Sequence, residues 1–465
     1  MIRIILKRHI IRAGFLLATI IPVAVGVAAP APPPPSPPNV LLVIFDALRY
    51  DRLGHNGYGR PITPGLDRFA NSAVRYRNAI ASAPTTLPSH ASMFTGLPVF
   101  MHGARNMGLD EAKHNVNPLH HDYLTLAEFL SERGYATAAF FANAAFLSKY
   151  WQLDQGFQTY VTDRVWSDKL NPTILAWLDQ PRKQPFFVCV NYIDTHRPYN
   201  VTPVPGLPFR IPSDDNVELI EALEERVMGT DQPLPKELLA KLTDQYDAAV
   251  ANVDRHFLTL VGELKKRDLY DNTVILVTAD HGEFFGEHRL IGHGKDVYEE
   301  VIRVPLLIKA PGQTAGREDP TPVAGMDIPY LILSHLPNPI LSEGTKSFPF
   351  RPGNHPFISE KYYGGKDLIF DERFGKRLNR IRIAVIDAPW KLIHSSDGKH
   401  ELYNLDQDPR EQKDIHSAHP KESKRLENQL RSFIKKHGIT LKKTPHKSPL
   451  GEEDLKNLKA LGYIQ

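Results

Sequence analysis

The chain has 465 residues but only one cysteine, almost no excess of charge and no internal repeats. Cys189 lies in an apolar run, so the sequence predicts a buried core side chain and excludes an intrachain disulfide. The formal net charge of +3 is small for this length, and no nucleic-acid partner is expected from it. The absence of repeats argues against a solenoid or a propeller.

The first 29 residues have the pattern of an export signal. Arg3, Lys7 and other basic residues precede an almost entirely apolar stretch at residues 13–29. Because this stretch is near the ~17-residue lower limit for a membrane-spanning helix, residues 1–29 are interpreted as either a signal peptide or a signal anchor. Residues 30–38 form a proline-rich linker. The protein is therefore expected to be exported, to the periplasm or outside the cell, with membrane anchoring through this segment as an open alternative.

Four short apolar runs predict the strands of a central sheet. They are Val40–Phe45, Phe186–Ile193, Val274–Ala279 and Val304–Ile308. Fully apolar runs of this length are typical of parallel strands that are buried on both faces. Helical patterns lie between them, at residues 124–133 and 236–266 for example. The alternation predicts an α/β fold with a doubly wound, mostly parallel central sheet.

Three of the apolar runs end at an aspartate. Asp46, Asp194 and Asp280 each follow the last apolar residue of a predicted strand. In doubly wound sheets, ligands bind outside the carboxyl ends of the strands. A functional site is therefore predicted at this edge of the sheet.

The character of the chain changes after residue 335. Short alternating strands are predicted at residues 381–386, 390–394 and 401–405, and a polar helix at about 421–436. These elements predict a small C-terminal α+β subdomain at residues 336–440. It follows a larger domain at residues 39–335 and precedes a tail at residues 441–465.

Four phrases of the sequence resemble, in the same order, phrases of the sulfatases, a family of the alkaline phosphatase superfamily. They are Asn39-Val40…Asp46-Ala47-Leu48-Arg49-Tyr50-Asp51, Thr86-Leu87-Pro88-Ser89-His90-Ala91-Ser92-Met93-Phe94-Thr95-Gly96, Asp280-His281-Gly282-Glu283…Gly286-Glu287-His288 and Tyr298-Glu299-Glu300…Arg303-Val304-Pro305-Leu306. A chance match of several long phrases in family order is negligible. The resemblance implies the alkaline phosphatase/sulfatase fold from about residue 39 onward, with the catalytic domain at residues 39–335.

Thr86 departs from the sulfatase pattern at the position of the nucleophile. Most sulfatases carry Cys or Ser there, and that residue is oxidised to formylglycine. Thr86 cannot follow this route, because a secondary alcohol oxidises to a ketone instead of an aldehyde. Phosphodiesterases and phosphoethanolamine transferases of the same superfamily attack phosphorus with an unmodified threonine. The resemblance therefore implies cleavage of a phosphoester through Thr86.

The resemblance also implies a divalent metal ion. By position, the ligands would be Asp46, Asp280 and His281, with the Thr86 oxygen completing the set. Many sulfatases have a second acid where this chain has Ala47, and Asn where it has His281. Imidazole ligands suit Zn²⁺ or Mn²⁺, whereas all-oxygen sites suit Ca²⁺. Zinc is the favoured ion, and calcium and manganese stay open.

Further catalytic residues are implied by the same phrases. His196 resembles the sulfatase histidine that faces the transferring group, and His293 is the first choice for the general acid, before Lys295. His90 replaces the family arginine behind the nucleophile; it would orient Thr86 without supplying that arginine's fixed charge. Asn143, not part of these phrases, is either an oxyanion donor or a plain polar cap.

The expected substrate is an anionic ester, such as a sugar, lipid-headgroup or nucleotide ester. The leading hypothesis is a metal-dependent phosphoester hydrolase or transferase with metal-activated Thr86 as nucleophile. One alternative is a sulfuric ester hydrolase that lacks formylglycine, and another is an inactive binding protein. Specificity is expected to depend on a lid or insertion at residues 200–235 and on a loop at residues 102–122.

Overall fold

Residues 37–106, 116–200, 204, 216–362, 378–438 and 456 are described by this computed structural model of the protein. The predicted signal or anchor segment at 1–29, most of the linker at 30–38 and all but one residue of the tail at 441–465 lie outside these residues. None of the described helices is both long enough and apolar enough to cross a membrane.

Strands and helices alternate through the first two thirds of the chain. The strands are β1 Asn39–Phe45, β2 Val74–Tyr76, β3 Ala79–Ile80, β4 Arg105–Asn106, β5 Val116–Asn117, β6 Ala136–Phe141, β7 Thr159–Thr162, β8 Phe186–Tyr192, β9 Thr273–Ala279, β10 Phe284–Phe285, β11 Ile291–Gly292, β12 Leu306–Lys309, β13 Arg317–Asp319, β14 Val323–Ala324, β15 Phe357–Lys361, β16 Arg382–Asp387, β17 Trp390–Ser395 and β18 Glu401–Asn404. The helices are α1 Pro64–Ala70, α2 Thr86–Thr95, α3 Val99–His102, α4 Leu126–Ser131, α5 Ser167–Leu178, α6 Asn216–Met228, α7 Lys236–Lys266, α8 Glu299–Ile302, α9 Ile328–Leu333, α10 Ile340–Ser347 and α11 Pro420–His437.

The main sheet of the described chain has eight strands in the order β13-β2-β12-β9-β1-β8-β6-β7. Strand β1 lies between β8 and β9 and is parallel to both, and β6 is parallel to β8 and β7. Every residue of β1, β6, β8 and β9 is buried. These strands are apolar throughout because helices cover both faces of a doubly wound sheet. The predicted α/β class with a mostly parallel central sheet is confirmed, as is the burial of Cys189.

One of the four predicted parallel strands has the opposite direction. The apolar run at residues 304–308 forms β12, and β12 pairs antiparallel with both β9 and β2. A parallel neighbour needs a crossover connection, which is usually a packed helix. Between β9 and β12 the chain contains only the β10–β11 hairpin, one short 3₁₀ turn and the four-residue helix α8. The apolar pattern therefore predicted the burial of β12 correctly, whereas the direction of β12 depends on the segment that connects it to β9.

The second sheet carries the predicted C-terminal strands. Strands β15, β16, β17 and β18 form an antiparallel meander, and α11 packs on β16 and β17. The Lys391 ammonium of β17 is fully buried and lies 2.9 Å from Glu299 Oε1 and 2.8 Å from Glu411 Oε1. Because Glu299 begins α8, this buried ion pair links the meander to the part of the chain that carries the site. The boundary at residues 335/336 stays a prediction.

Candidate metal and nucleophile site

Two strand-end aspartates meet because of the register of the sheet. Phe45 of β1 is paired with Ala279 of β9, so the next residues, Asp46 and Asp280, emerge side by side at the carboxyl edge. His281 follows Asp280 directly. Thr86 is the first residue of α2, whose amino end points at the same place. All four of these side chains are buried.

The four side chains converge on a common point. The Nε2 atom of His281 is 3.6 Å from Asp280 Oδ2, 3.9 Å from Asp46 Oδ1 and 3.4 Å from Thr86 Oγ1. One ligand atom from each of Asp46, Asp280 and His281 lies within 4.8 Å of the other two. These are separations that a single bound cation can bridge, with ligand bonds of about 2.0–2.2 Å. The metal ligand set implied by the sequence is therefore assembled in space.

Hydrogen bonds hold one oxygen of each carboxylate and leave the other directed at this point. Asp46 Oδ2 accepts from Asn143 Nδ2 at 2.8 Å, and Asp280 Oδ1 accepts from the backbone N–H groups of Ala47 and His281 at 3.1 and 2.9 Å. Among the described residues, neither Asp46 Oδ1 nor Asp280 Oδ2 has a hydrogen-bond partner, and both oxygens are buried. A buried, unpaired carboxylate oxygen is costly unless a cation compensates it. The residues present therefore fit a divalent metal ion.

The histidine is oriented to act as a ligand. His281 Nδ1 lies 2.9 Å from the carbonyl oxygen of Gly282, which can only accept, so Nδ1–H donates this hydrogen bond. The lone pair of Nε2 then faces the two carboxylates. A backbone carbonyl that fixes the tautomer of a metal-binding histidine is common outside the ligand shell of metal sites. Two carboxylates, one imidazole and one hydroxyl thus make four candidate ligands for a divalent metal ion.

Burial shifts both carboxyl groups toward their neutral forms when no cation is bound. Burial, followed by the charge of Asp280, raises the pKa of Asp46 to about 8. Burial also raises the pKa of Asp280 to about 7. A nearby cation favours the ionised form of a carboxylate and reverses these shifts. Metal binding at neutral pH is therefore expected to release protons.

The remaining predicted residues surround this point at different distances. The His293 ring centre is 4.3 Å from that of His281 and 4.9 Å from that of His196. His293 Nδ1 lies 3.1 Å from Glu283 Oε1, and Lys295 Nζ donates to Glu224 Oε1 at 3.1 Å. The structure therefore groups the predicted histidines beside the ligand set, with Lys295 adjoining them.

His90 lies one turn along α2 from Thr86. Its Nδ1–H donates to the carbonyl oxygen of Thr86 at 3.0 Å, and the same nitrogen is 3.7 Å from Asp280 Oδ2. Burial lowers the pKa of His90 to about 3, so the ring is neutral. It contacts the backbone of Thr86, in keeping with a role in orienting that residue, and it supplies no positive charge.

Asn143 and Asp194 differ in their contacts with the candidate ligands. Asn143 donates to Asp46 and accepts from the backbone N–H of Phe146, so it holds one oxygen of Asp46 and caps a turn. Asp194 lies outside the ligand cluster: its oxygens accept from Ser167 Oγ, Ser167 N and Asn252 Nδ2. Every oxygen of Asp194 is thus satisfied within the protein, unlike those of Asp46 and Asp280.

One residue that supports the candidate site, Tyr246, could not be predicted from the sequence. The hydroxyl of Tyr246, on α7, donates to the carbonyl oxygen of Ala47 and accepts from the N–H of Arg49, each at 2.8 Å. These bonds hold the turn after β1, in which Ala47 has a φ of 60°. Tyr246 is nearly 200 residues away in sequence and belongs to an ordinary amphipathic helix, so only the fold could reveal its role.

The contrast between Asp46 and Asp194 gives a test of the metal site. The Asp46→Asn variant is expected to bind Zn²⁺ at least about 100-fold more weakly, since even residues that only support metal ligands cost about 10- to 100-fold. Asp194→Asn, a matched buried acid, should lose stability but keep the affinity. Competition with a chromophoric chelator measures both. Equal affinities in wild type and Asp46→Asn would contradict the ligand assignment.

The fold is that of the alkaline phosphatase superfamily, and the candidate site lies at the carboxyl edge of its central sheet. Residues 38–338 match the family model described as Sulfatase. This chain belongs to the sulfatase family, and members of this superfamily are metal-dependent. The resemblance seen in the sequence is thereby confirmed.

Several relatives extend along most of the chain. Arylsulfatase K of Rattus norvegicus is 24% identical over 451 residues, covering 85% of this chain and 78% of that protein. The solved phosphonate monoester hydrolase SpPMH from Silicibacter pomeroyi is 21% identical with a TM-score of 0.66, covering 90% of this chain and 98% of that one. The structure of BT4656 in complex with its substrate D-glucosamine-2-N,6-O-disulfate is 20% identical with a TM-score of 0.63, covering 86% and 98%.

Proposed function

We propose that the protein is a metal-dependent enzyme that cleaves an anionic phosphoester by attack of Thr86 on phosphorus. The observation that carries the proposal is the position of Thr86 Oγ1, 3.4 Å from His281 Nε2 and among the unpaired oxygens of Asp46 and Asp280. Threonine cannot become formylglycine, so its hydroxyl is the group available for attack at this position. The similarity to a phosphonate monoester hydrolase agrees with chemistry at phosphorus.

The surroundings of Thr86 favour a more acidic hydroxyl. A divalent cation held by Asp46, Asp280 and His281 would lower the pKa of a coordinated hydroxyl and offset charge on the phosphoryl group. Thr86 is also the first residue of the ten-residue helix α2, and helix amino ends stabilise negative charge. Both effects favour the alkoxide, which is the nucleophilic form.

In the proposed reaction, a bond forms between Thr86 Oγ and phosphorus while the bond from phosphorus to the leaving oxygen breaks. The hydroxyl proton of Thr86 passes to solvent, the product on the protein is a phosphothreonine, and the leaving oxygen takes up a proton. Burial lowers the pKa of Lys295, which makes its ammonium a better proton donor. Burial, followed by the charge of His281, lowers the pKa of His293 well below its usual value, so that His293 is neutral. These directions favour Lys295 as the acid and His293 as a proton acceptor.

The second half of the reaction decides between hydrolysis and transfer. Water attacking the phosphothreonine would make the protein a hydrolase, and an acceptor hydroxyl would make it a transferase. Neutral His293, whose Nδ1–H is oriented by Glu283, is placed to accept the proton of either attacking group. On the pattern of residues 1–29, we also propose that the protein acts after export.

A sulfate ester is the second candidate substrate. It is favoured by the family match and by the disulfated glucosamine bound to BT4656. A sulfated threonine has no easy route to breakdown, whereas the hydrate of formylglycine can eliminate sulfate. We therefore rank sulfate esters behind phosphoesters.

The proposal is tested on the metal-loaded protein with three chromogenic esters. Turnover is expected on p-nitrophenyl phosphate or bis-p-nitrophenyl phosphate, with a slower rate or none on p-nitrophenyl sulfate. Removal of the metal with a chelator should abolish turnover, and added Zn²⁺ should restore it. Preferential turnover of the sulfate would replace the proposal with the second candidate. Bound metal without turnover of any ester would favour the inactive binding protein.

A further inference from the structure

Glu224 of helix α6 reaches the cations beside the site. Its side chain is 8% exposed, and one oxygen, Oε1, accepts hydrogen bonds from Arg197 Nη1 at 3.0 Å and from Lys295 Nζ at 3.1 Å. Helix α6 lies in the region at residues 200–235 that the sequence predicted to decide specificity. A single carboxylate from this insertion is thus shared by two cationic side chains.

Arg197 and Lys295, the cationic pair, lie beside the part of the site that contains His293. Gly292 has a φ of +78°, and a Cβ atom there would lie 2.9 Å from Lys295 Nζ, 3.3 Å from Glu283 Oε1 and 3.7 Å from Arg197 Nη1. Glu283 in turn contacts His293. Gly292 therefore lies where the Glu224 contacts adjoin the site, and a larger residue at this position would crowd Lys295 and Glu283.

Glu224 offsets positive charge beside the site. Arg197 and Lys295 donate to the same oxygen of this carboxylate, Glu224 Oε1. Replacement of Glu224 by glutamine would therefore make this group of three side chains more positive by one charge.

We propose that Glu224 sets the charge of the preferred substrate, favouring esters whose transferring group carries one negative charge over those that carry two. This inference rests on the proposed function and narrows it from phosphoesters in general to phosphodiesters and similar monoanions. Arg197 and Lys295 share the carboxylate of Glu224, so this cationic pair offers less positive charge to a second negative charge on the substrate. In a site shielded from water, a negative charge that is not offset is costly.

The test compares two substrates that share a leaving group and differ by one charge. At pH 8, p-nitrophenyl phosphate is a dianion, because the second pKa of a phosphate monoester is about 6. Methyl p-nitrophenyl phosphate is a monoanion. In Glu224→Gln, the ratio of kcat/KM for the dianion to that for the monoanion is expected to rise about tenfold. This is the effect of removing one negative charge at a distance of about 10 Å, with an effective dielectric constant of about 20.

The matched control is Glu225→Gln, which removes the same charge from the exposed neighbouring residue of α6. Its ratio should equal that of the wild type. An equal loss of kcat/KM for both substrates in Glu224→Gln would mean that Glu224 only supports the structure, and would overturn the inference. A shift of the same size in Glu225→Gln would also overturn it, because the effect would then be a general one.

A binding measurement separates this inference from the proposed function. In the Thr86→Ala background, the zinc-loaded protein is titrated by calorimetry with phenyl phosphate and with methyl phenyl phosphate. Glu224→Gln should shift relative affinity toward the dianion even if the wild type hydrolyses neither chromogenic ester. Absence of turnover would refute the proposed function alone, whereas an unchanged affinity ratio would refute the role of Glu224.

Discussion

The Thr86→Ala variant is expected to lose at least about 10³-fold in kcat/KM on phosphoesters, while keeping its fold and a measurable affinity for Zn²⁺. The substitution removes the attacking oxygen but leaves Asp46, Asp280 and His281 in place. Steady-state kinetics measures the loss, and chelator competition measures the remaining metal affinity. Mass spectrometry of the wild type, quenched during turnover, should detect phosphate bound to Thr86.

Two other variants make this result interpretable. Thr86→Ser keeps a hydroxyl and is expected to retain part of the activity. Thr95→Ala removes a buried hydroxyl from the last residue of the same helix, where it donates to the carbonyl oxygen of Ala91 and accepts from the backbone N–H of Leu97, and should leave kcat/KM nearly unchanged. Turnover that survives in Thr86→Ala would instead assign the attack to water and would remove the main argument for phosphorus over sulfur.

Gly156→Ala is expected to destabilise the protein by more than about 4 kcal/mol, or to prevent folding. Gly156 has a φ of +82°, and an added Cβ would lie 2.0 Å from the backbone nitrogen of Glu128 and 2.5 Å from the backbone carbon of Ala127. Those atoms belong to the first turn of α4, which a capping box of Thr125 and Glu128 fixes in place. Rigid backbone cannot move aside as the end of a flexible side chain can.

The nearby Gly134 provides the matched control for this substitution. Its φ is +84°, close to that of Gly156, but an added Cβ would meet no atom within 4 Å. Gly134→Ala is therefore expected to cost only the backbone strain, about 1–2 kcal/mol. Urea unfolding of both variants gives the difference, which isolates the steric clash. Equal losses in the two variants would contradict the close packing of Gly156 against α4.

The central strands could be predicted from the sequence because a strand that is buried on both faces is a continuous run of apolar residues. Strand β1 at Asn39–Phe45 and strand β9 at Thr273–Ala279 match their predicted runs almost to the residue. Helix α7 was also predicted with its observed bounds, Lys236–Lys266. The direction of β12 could not be predicted in this way, since an apolar run is equally compatible with parallel and antiparallel neighbours.

The residues of the site also fall into two groups, those that a local sequence pattern identifies and those that only the fold identifies. Asp46, Asp280 and Thr86 lie in phrases that can be recognised from their neighbours in sequence, and the fold brings them together. Tyr246 and Glu224 belong to helices whose sequences resemble ordinary amphipathic surfaces. Their roles depend on which other element the helix packs against, and no local pattern encodes that.

The pairing of β1 with β9 also has a consequence for the order of events during folding. Ala47 and Asp280, which share a hydrogen bond in the folded protein, are 233 residues apart in the chain. Contacts between such distant residues form late, because closing a long loop costs conformational entropy before any contact compensates it. A growing chain that ends before Asp280 can pair β1 with β8 but cannot assemble the ligand set. Binding of an ion at this site is therefore expected to follow the pairing of β1 with β9.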